Sequence, residues 1–225
     1  MDLKNLTLLI PAKFEADSLP SVLNELKNYE LNILIVLEDS DQDTINSIKN
    51  YNVKILKQKK LGYGAALIEG IDAINTEYLC IFNADGSFEP KHLRLMIDIC
   101  KNFDFIFATR YKKNAGSDDD TFLTRIGNFF FTLFGRIFFS LKISDILYTY
   151  VLGKTSAFKE VNLKSENFNI CVELPIKAQR KNMAYTDFAS KERSRIAGFK
   201  KVNEFRDGFK ILFYMLALLF SRKDK

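Results

Sequence analysis

Apolar runs and amphipathic stripes alternate along the first half of the chain. Residues 6–10 form a continuous apolar run closed by Pro11, the pattern of a strand buried on both faces. Ser18 precedes Leu19, Val22, Leu23 and Leu26, a helical stripe behind a capping residue. Residues 33–37 predict a second strand, 44–50 a short helix and 53–56 a third strand. Residues 62–74 predict a helix that opens on the small residues Gly64, Ala65 and Ala66, and 77–82 a fourth strand. Pro90 suits the first turn of a helix running to about Lys101, and 104–109 is a fifth strand. Strand–helix alternation with crossovers of this length predicts a parallel sheet covered by helices on both faces.

Beyond residue 110 the rhythm changes. A polar stretch carrying Asp118, Asp119 and Asp120 reads as a mobile acidic loop, and a Phe-rich helix is expected over 122–141. Residues 148–158 read as extended, 172–181 as helix, 185–188 as strand and 203–220 as a final helix. The expected fold class is a single α/β domain over 1–210 with a mostly parallel central sheet. The remainder, 211–225, is expected to be an apolar and basic helix end.

At 225 residues, 47% apolar and 27% charged, the chain is an ordinary globular one, except for its 21 Phe and no Trp. The net charge of +5 does not call for nucleic acid; it suits an anionic ligand or a negatively charged membrane surface. Cys80, Cys100 and Cys171 are isolated and His92 is the single histidine, which excludes a zinc site and predicts reduced thiols. The first residues show no signal-peptide pattern, and no apolar stretch reaches the roughly 20 residues that span a bilayer. The expected location is the cytoplasm or the inner face of the cytoplasmic membrane. The apolar stretches 129–139 and 211–220 would lie in the headgroup layer, or pack on the sheet or against a second subunit.

The chemistry is concentrated at strand ends. Glu15 follows strand one, Glu38 and Asp39 follow strand two, and Asn83 and Asp85 follow strand four. Parallel strands place all three ends on one edge of the sheet, where open α/β folds bind ligands. Carboxylates gathered there repel one another unless a cation or hydrogen-bond donors separate them. A sugar nucleotide with Mg²⁺ or Mn²⁺ supplies both, and oxygen ligands at i and i+2 suit such an ion. The alternative is that Asp85 merely caps the next helix. Other signals carry less. The acidic run 39–43 lacks the glycine and closing glutamate of a calcium loop, and Gly62-x-Gly64 lacks the third glycine of a dinucleotide site. Lys57, Lys59 and Lys60 read as a solvated face, and His92 as a surface residue.

Ile10-Pro11-Ala12-x-x-Glu15, Leu37-Glu38-Asp39-Ser40-Asp41, Gly62-Tyr63-Gly64-Ala65-Ala66 and Asn83-Ala84-Asp85-Gly86-Ser87 occur in that order. Thr109-Arg110-Tyr111, Ser144-Asp145, Cys171-Val172-Glu173, Arg195-x-x-Gly198-x-Lys200 and Phe205-Arg206-Asp207-Gly208 follow. Together they resemble the family-2 glycosyltransferases of GT-A fold, in the branch of dolichol- and polyprenyl-phosphate sugar synthases. The resemblance implies a metal-dependent inverting transfer of sugar from a UDP- or GDP-sugar to a polyprenyl phosphate. It implies that Pro11, Ala12, Glu15, Glu38, Asp39, Gly62, Gly64, Asn83, Ala84 and Asp85 hold the donor, with Asp85, Asn83 and Ser87 at the metal. Arg110, Arg195 and Lys200 would hold a lipid phosphate, whereas a saccharide hydroxyl would need Asp145 or Glu173 as base. Asp145 could instead serve as a cap or ion-pair partner. Asn83 stands where the family has an acidic ligand, Glu38 replaces an Asp, and Lys13-Phe14 replaces Tyr-Asn. A binding protein without turnover is the reading that Asn83 suggests.

Overall fold

A computed structural model describes residues 3–198 and 204–221. Nine strands are described: β1 (Leu6–Pro11), β2 (Asn32–Leu37), β3 (Lys54–Lys57), β4 (Tyr78–Ile81), β5 (Phe105–Thr109), β6 (Gly116–Ser117), β7 (Val151–Lys154), β8 (Tyr185–Ala189) and β9 (Lys191–Glu192). Seven form one sheet in the order β3-β2-β1-β4-β7-β5-β8, while β6 and β9 make a separate parallel pair. Every pairing in the large sheet is parallel except the two made by β7, which runs antiparallel between β4 and β5. The sheet is therefore mostly parallel, as expected, with one reversed strand that returns after the long excursion from residue 110.

Helices α1 (Leu19–Leu26), α2 (Gln42–Ile48) and α4 (Leu93–Cys100) cover one face. Helices α3 (Tyr63–Ala73), α5 (Phe122–Phe139), α6 (Thr155–Val161), α7 (Ile170–Arg180) and α8 (Glu204–Phe220) cover the other. The strands feed both cores by alternation. Leu79 and Ile81 of β4 face the α3 side while Tyr78 and Cys80 face the α4 side, and β5 divides Phe105 and Phe107 from Ile106 and Ala108 in the same way. This two-sided burial is what made these strands read as unbroken apolar runs.

The extended reading of 148–158 holds only for β7. Residues 155–158 open α6 instead, because Thr155, Ala157, Phe158 and Val161 bury one helical face while Lys154 keeps the extended backbone of a helix entry. The β-branched and aromatic content of that stretch hid the stripe. The Phe-rich helix is capped by Thr121, whose hydroxyl accepts from the Thr124 amide at 3.1 Å while Thr124 Oγ1 accepts from the Thr121 amide at 2.8 Å. Helix α8 runs unbroken through the 210/211 boundary, and its Ile211, Met215 and Leu218 join the core beside α7.

Candidate active site

Beyond the ends of β1, β2 and β4 lies a cavity of about 650 Å³, within the range of small-molecule sites. Pro11, Ala12, Glu15, Glu38, Gly62, Asn83, Ala84, Asp85, Arg110 and Arg195, all named from the sequence, line it. The loop after β1 is fastened at each turn. The Ala12 amide donates to the Val36 carbonyl at 2.9 Å, the Phe14 amide to Asp41 Oδ2 at 2.6 Å, and the Glu15 amide to Thr44 Oγ1 at 2.9 Å. Phe14 has φ +54°, an uncommon backbone for a bulky residue, and the Asp41 bond helps hold it there. Lys13, on the same loop, reaches Glu38 Oε1 at 2.6 Å.

At the end of β4, Ser87 organises its neighbours. Its amide and hydroxyl both donate to Asp85 Oδ1, at 3.0 and 2.7 Å, and its hydroxyl accepts from Asn83 Nδ2 at 3.2 Å. Buried and off the cavity lining, Ser87 holds Asp85 and Asn83 in position, whereas the sequence suggested a metal ligand. The arrangement leaves Asp85 Oδ2 and the Asn83 carbonyl oxygen to meet a ligand. Gly86 supplies the turn with φ +82°, and a side chain there would strike Ile196.

The opposite wall is built from charge. Arg110 makes a fork with the fully buried Asp145, from Nε to Oδ2 at 2.8 Å and from Nη2 to Oδ1 at 3.0 Å. Its Nη1 reaches Glu192 Oε2 at 3.1 Å and approaches Asp120 Oδ1 at 3.7 Å, and its Cζ lies over the Tyr148 ring, 4.7 Å from the centroid. Burial works against the Arg110 charge, but Asp145 and Glu192 outweigh it and hold the guanidinium above its ordinary value. Burial pushes the Glu192 carboxyl up, against the pull of Arg110 and Ser117. Arg195 crosses from the segment after β9, bonding Asp119 Oδ2 at 2.7 Å and standing 3.9 Å from Asp85 Oδ2. That segment is tied to the β4 loop by the Arg193 amide to Ser87 O and the Ile196 amide to Asp85 O, at 2.9 and 2.8 Å.

Several expected residues lie elsewhere. Glu173 is fully buried outside the cavity, accepting from the Lys164 and Ser165 amides at 2.9 and 2.8 Å and pairing with Lys177 at 2.7 Å. Both of its oxygens are occupied by the fold, so it reaches no acceptor. Asp145 is likewise closed off behind Arg110, the ion-pair alternative read from the sequence. Asp39 turns outward to Lys57 at 2.7 Å, leaving Glu38 as the β2 carboxylate on the cavity wall. Gly64 packs against the backbone of 165–167, where an added Cβ would overlap the Ser165 and Asn167 carbonyl oxygens. The same loop crowds Gly62, whose φ of +121° also excludes larger residues. Lys200 lies outside the described residues. Lys60 pairs with Glu166 at 2.5 Å. His92 is half-buried, its Nδ1 3.0 Å from Ser190 Oγ, and it does not line the cavity.

The acidic stretch 118–120 is not the mobile loop it resembled. Asp119 and Asp120 both line the cavity, and Asp120 also accepts from the Tyr111 hydroxyl at 2.5 Å. The sequence did hold a signal for them in the Thr121-x-x-Thr124 capping pattern immediately after, which fixes a helix start there. Nothing marked Glu192 or Asn128, which come from a two-residue strand and the buried stripe of α5. Cys171 also lines the wall, but burial pushes its thiol up to about 12, so it is neutral and a poor nucleophile.

The described lining carries seven carboxylates against three cationic side chains, Lys13, Arg110 and Arg195. Its inner end is largely apolar, with Ala66, Leu147, Phe168 and Ile211, and a Tyr63–Phe168 ring stack at 4.9 Å.

The glycosyl transferase family 2 model matches residues 7–161. An uncharacterized glycosyltransferase of Mycobacterium tuberculosis is 28% identical over 106 residues, covering 46% of this chain and 48% of that protein. A counterpart in Mycobacterium bovis matches equally, so the chain spans about half the length of these curated relatives. Among solved structures, glucosyl-3-phosphoglycerate synthase from M. tuberculosis, complexed with Mn²⁺, UDP and phosphoglyceric acid, superposes with a TM-score of 0.73 at 11% identity. That match covers 96% of this chain and 78% of the synthase. A second crystal of the synthase, holding Mn²⁺ and UDP-glucose, gives 0.71 at 12% identity over 95% and 78%. At such identities the likeness concerns the fold, and it is the GT-A fold expected from the motifs. With its family model matching well over half the residues, the chain belongs to glycosyl transferase family 2.

Proposed function

We propose that this chain transfers a sugar from a nucleoside-diphosphate sugar to an anionic acceptor, a polyprenyl phosphate, at the inner face of the cytoplasmic membrane. The observation that carries the donor half is the charge of the cavity. A diphosphate entering among seven carboxylates is repelled unless a cation accompanies it. Asp85 Oδ2 and the Asn83 carbonyl suit Mg²⁺ or Mn²⁺, which bind through one or two protein oxygens plus substrate phosphates rather than through a full protein cage. When bound, the ion supplies charge stabilisation to the departing diphosphate. Solved neighbours of the same fold hold Mn²⁺ with UDP or UDP-glucose, which supports this donor class.

The acceptor half rests on Arg110, Arg195 and the apolar inner wall. A phosphate monoester oxygen is already a nucleophile and needs holding more than deprotonation. Its oxygen would bond to the anomeric carbon as the bond from that carbon to the diphosphate breaks, giving inversion. Arg195 is the mobile cation in this scheme. It would exchange Asp119 and Asp85 for phosphate, while Arg110, locked by Asp145, stays fixed. Asp145 and Glu173, the bases a hydroxyl acceptor would have required, are both committed to structural partners.

A hydroxyl acceptor is the rival reading, favoured by Glu192, a cavity carboxyl whose pKa burial raises. Thermal-shift and calorimetric titration with UDP- and GDP-sugars, with and without Mn²⁺, test the donor. Stabilisation is expected only when metal and nucleotide are both present. Release of nucleoside diphosphate on adding a short polyprenyl phosphate, and not on adding saccharides, tests the acceptor. Binding without release under any acceptor would favour a protein that no longer turns over.

A further inference from the structure

The two helices that close the inner end of the cavity carry an outer surface that the fold leaves uncovered. Helix α5 buries Asn128, Thr132, Gly135 and Phe139, and α8 buries Ile211, Met215 and Leu218. The helices pack on each other and on α7, so the stripes opposite these residues face outward side by side. On α5 that outer stripe holds Phe122, Phe129, Phe130, Leu133, Ile137 and Phe138, each at least 39% exposed. On α8 it holds Phe205, Phe209, Phe213 and Phe220, each more than 60% exposed. Large apolar patches of this kind mark interaction surfaces.

Charge selects the occupant. Among the described residues neither helix exposes a carboxylate. Helix α5 contains none, Asp207 is buried and Glu204 is half-buried on the cavity wall. The exposed charges are cations: Arg125 and Arg136 on α5, Lys142 just past its end, and Arg206 and Lys210 on α8, the last two 3.5 and 3.6 Å from the buried Asp207 they share. A face combining aromatic side chains with cations and lacking exposed acids is complementary to an anionic bilayer surface. A second copy of the same face would bring further cations and no exposed acid to pair them. No helix among the described residues is long and apolar enough to cross a membrane.

We infer that the outer face of α5 and α8 is a docking surface for an anionic phospholipid membrane. Phe129, Phe130 and Phe213 enter the acyl boundary, with the cations at the phosphate level. Thr124 and Asn128 of α5 and Ile211 of α8 line the cavity from the other side of the same helices. Docking therefore holds the apolar end of the active site against the bilayer. The inference extends the lipid-phosphate reading, but its test involves no turnover and so fails or succeeds separately.

The test is flotation of the full chain with vesicles of phosphatidylcholine alone and of phosphatidylcholine with phosphatidylglycerol. Size-exclusion chromatography and calorimetric titration of UDP with Mn²⁺ run in parallel. The expected result is flotation with the phosphatidylglycerol vesicles and little with the neutral ones. Arg125→Gln and Lys142→Gln should each weaken it about fivefold. The exposed double change Phe129→Ser, Phe130→Ser should abolish it while nucleotide binding is retained. Equal flotation with both vesicles overturns the inference. So does a dimer that the double change dissolves, or flotation insensitive to that change. If flotation holds and nucleotide binding fails, the docking surface stands and the donor reading falls.

Discussion

The two walls of the cavity are built on different principles. The wall after β1, β2 and β4 is set by strand register. Once Leu9 pairs with Leu34 and Ile81, the chain ends that follow are forced onto one edge, and Glu15, Glu38 and Asp85 arrive together. The wall around Arg110, Glu192 and Arg195 has no such frame. Its residues come from a loop, a two-residue strand and an irregular segment, and ion pairs hold them in place. Register places a residue wherever it occurs in the pattern, whereas an ion-pair network places each residue only if all the others are present. The first wall should therefore tolerate substitution without unfolding and lose chemistry, and the second should do the reverse.

Asp85→Asn sharpens the contrast most. The amide keeps an oxygen for the Ser87 amide and hydroxyl while losing the charge, so the unliganded protein should melt almost unchanged. Turnover should fall about 10³-fold, about 4 kcal/mol of transition-state stabilisation, as for removal of one charge-stabilising group. Thermal melting beside a nucleoside-diphosphate release assay checks both halves. A variant that keeps its rate would remove the diphosphate from this position.

Glu173→Gln should do the opposite. It removes the counter-charge of buried Lys177, which keeps the Asn162 carbonyl at 2.9 Å, and turns an amide NH2 toward the Lys164 or Ser165 N–H. Breaking a buried pair in this way costs about 3 kcal/mol of folding stability. Turnover per folded molecule should stay at the wild-type level, measured by denaturant unfolding and a rate normalised to nucleotide-binding sites. Lost turnover with intact stability would return Glu173 to the role of base that its position in the motif order suggested.

How much was legible follows the same division. Strand runs and helical stripes through residue 109 lie close to where the pattern put them, because burial on two faces writes an unbroken apolar run. Glu15 and Asp85 were found for that reason. Glu38 and Asp39 were both assigned to the donor on motif likeness alone. Which of two adjacent carboxylates faces inward depends on one peptide's orientation, and here Lys13 draws Glu38 in while Lys57 draws Asp39 out. Glu192 was not legible as a site residue, and for Asp119 and Asp120 the capping pattern after them gave the helix start but not the site. Ion pairs to Arg110 and Arg195, up to 82 residues apart, hold them, and no periodicity encodes such a pairing. Ser87 was read as a ligand because sequence gives proximity to Asp85 but not burial off the cavity lining.

Gly64→Ala probes the seam between the walls, where the start of α3 meets loop 165–167. The added methyl would overlap two carbonyl oxygens, and the Ala65 amide, which donates to Glu166 O at 3.1 Å, would be pushed away. Overpacking of this kind costs about 1–3 kcal/mol. The Tyr63–Phe168 stack at the inner end of the cavity would be displaced with it. Stability measured by denaturant should fall within that range while the KM for the donor stays near its wild-type value. A donor KM that rises with no change in stability would place Gly64 in the nucleotide pocket, as its motif implied.

The smallest effect tests whether the charged wall is structural or chemical, and pH supplies the handle. Three carboxylates, on Asp120, Asp145 and Glu192, crowd the Arg110 guanidinium, and burial raises the pKa of Glu192. A carboxyl raised in the folded state binds its proton more tightly there than in the unfolded chain. Its contribution to stability is complete below the unfolded value near 4.5 and is lost as the pH climbs through the higher folded value. Glu192→Gln should remove that decline, leaving a flatter stability profile just above pH 4.5, since the amide keeps an acceptor for Arg110 and Ser117. If the residue is structural, turnover at neutral pH persists in the Gln variant. If it is the base of a hydroxyl acceptor, wild-type turnover rises with pH across the same window, and Glu192→Gln abolishes it. Unfolding and rate profiles on the two proteins therefore decide the acceptor class as well as the nature of the wall.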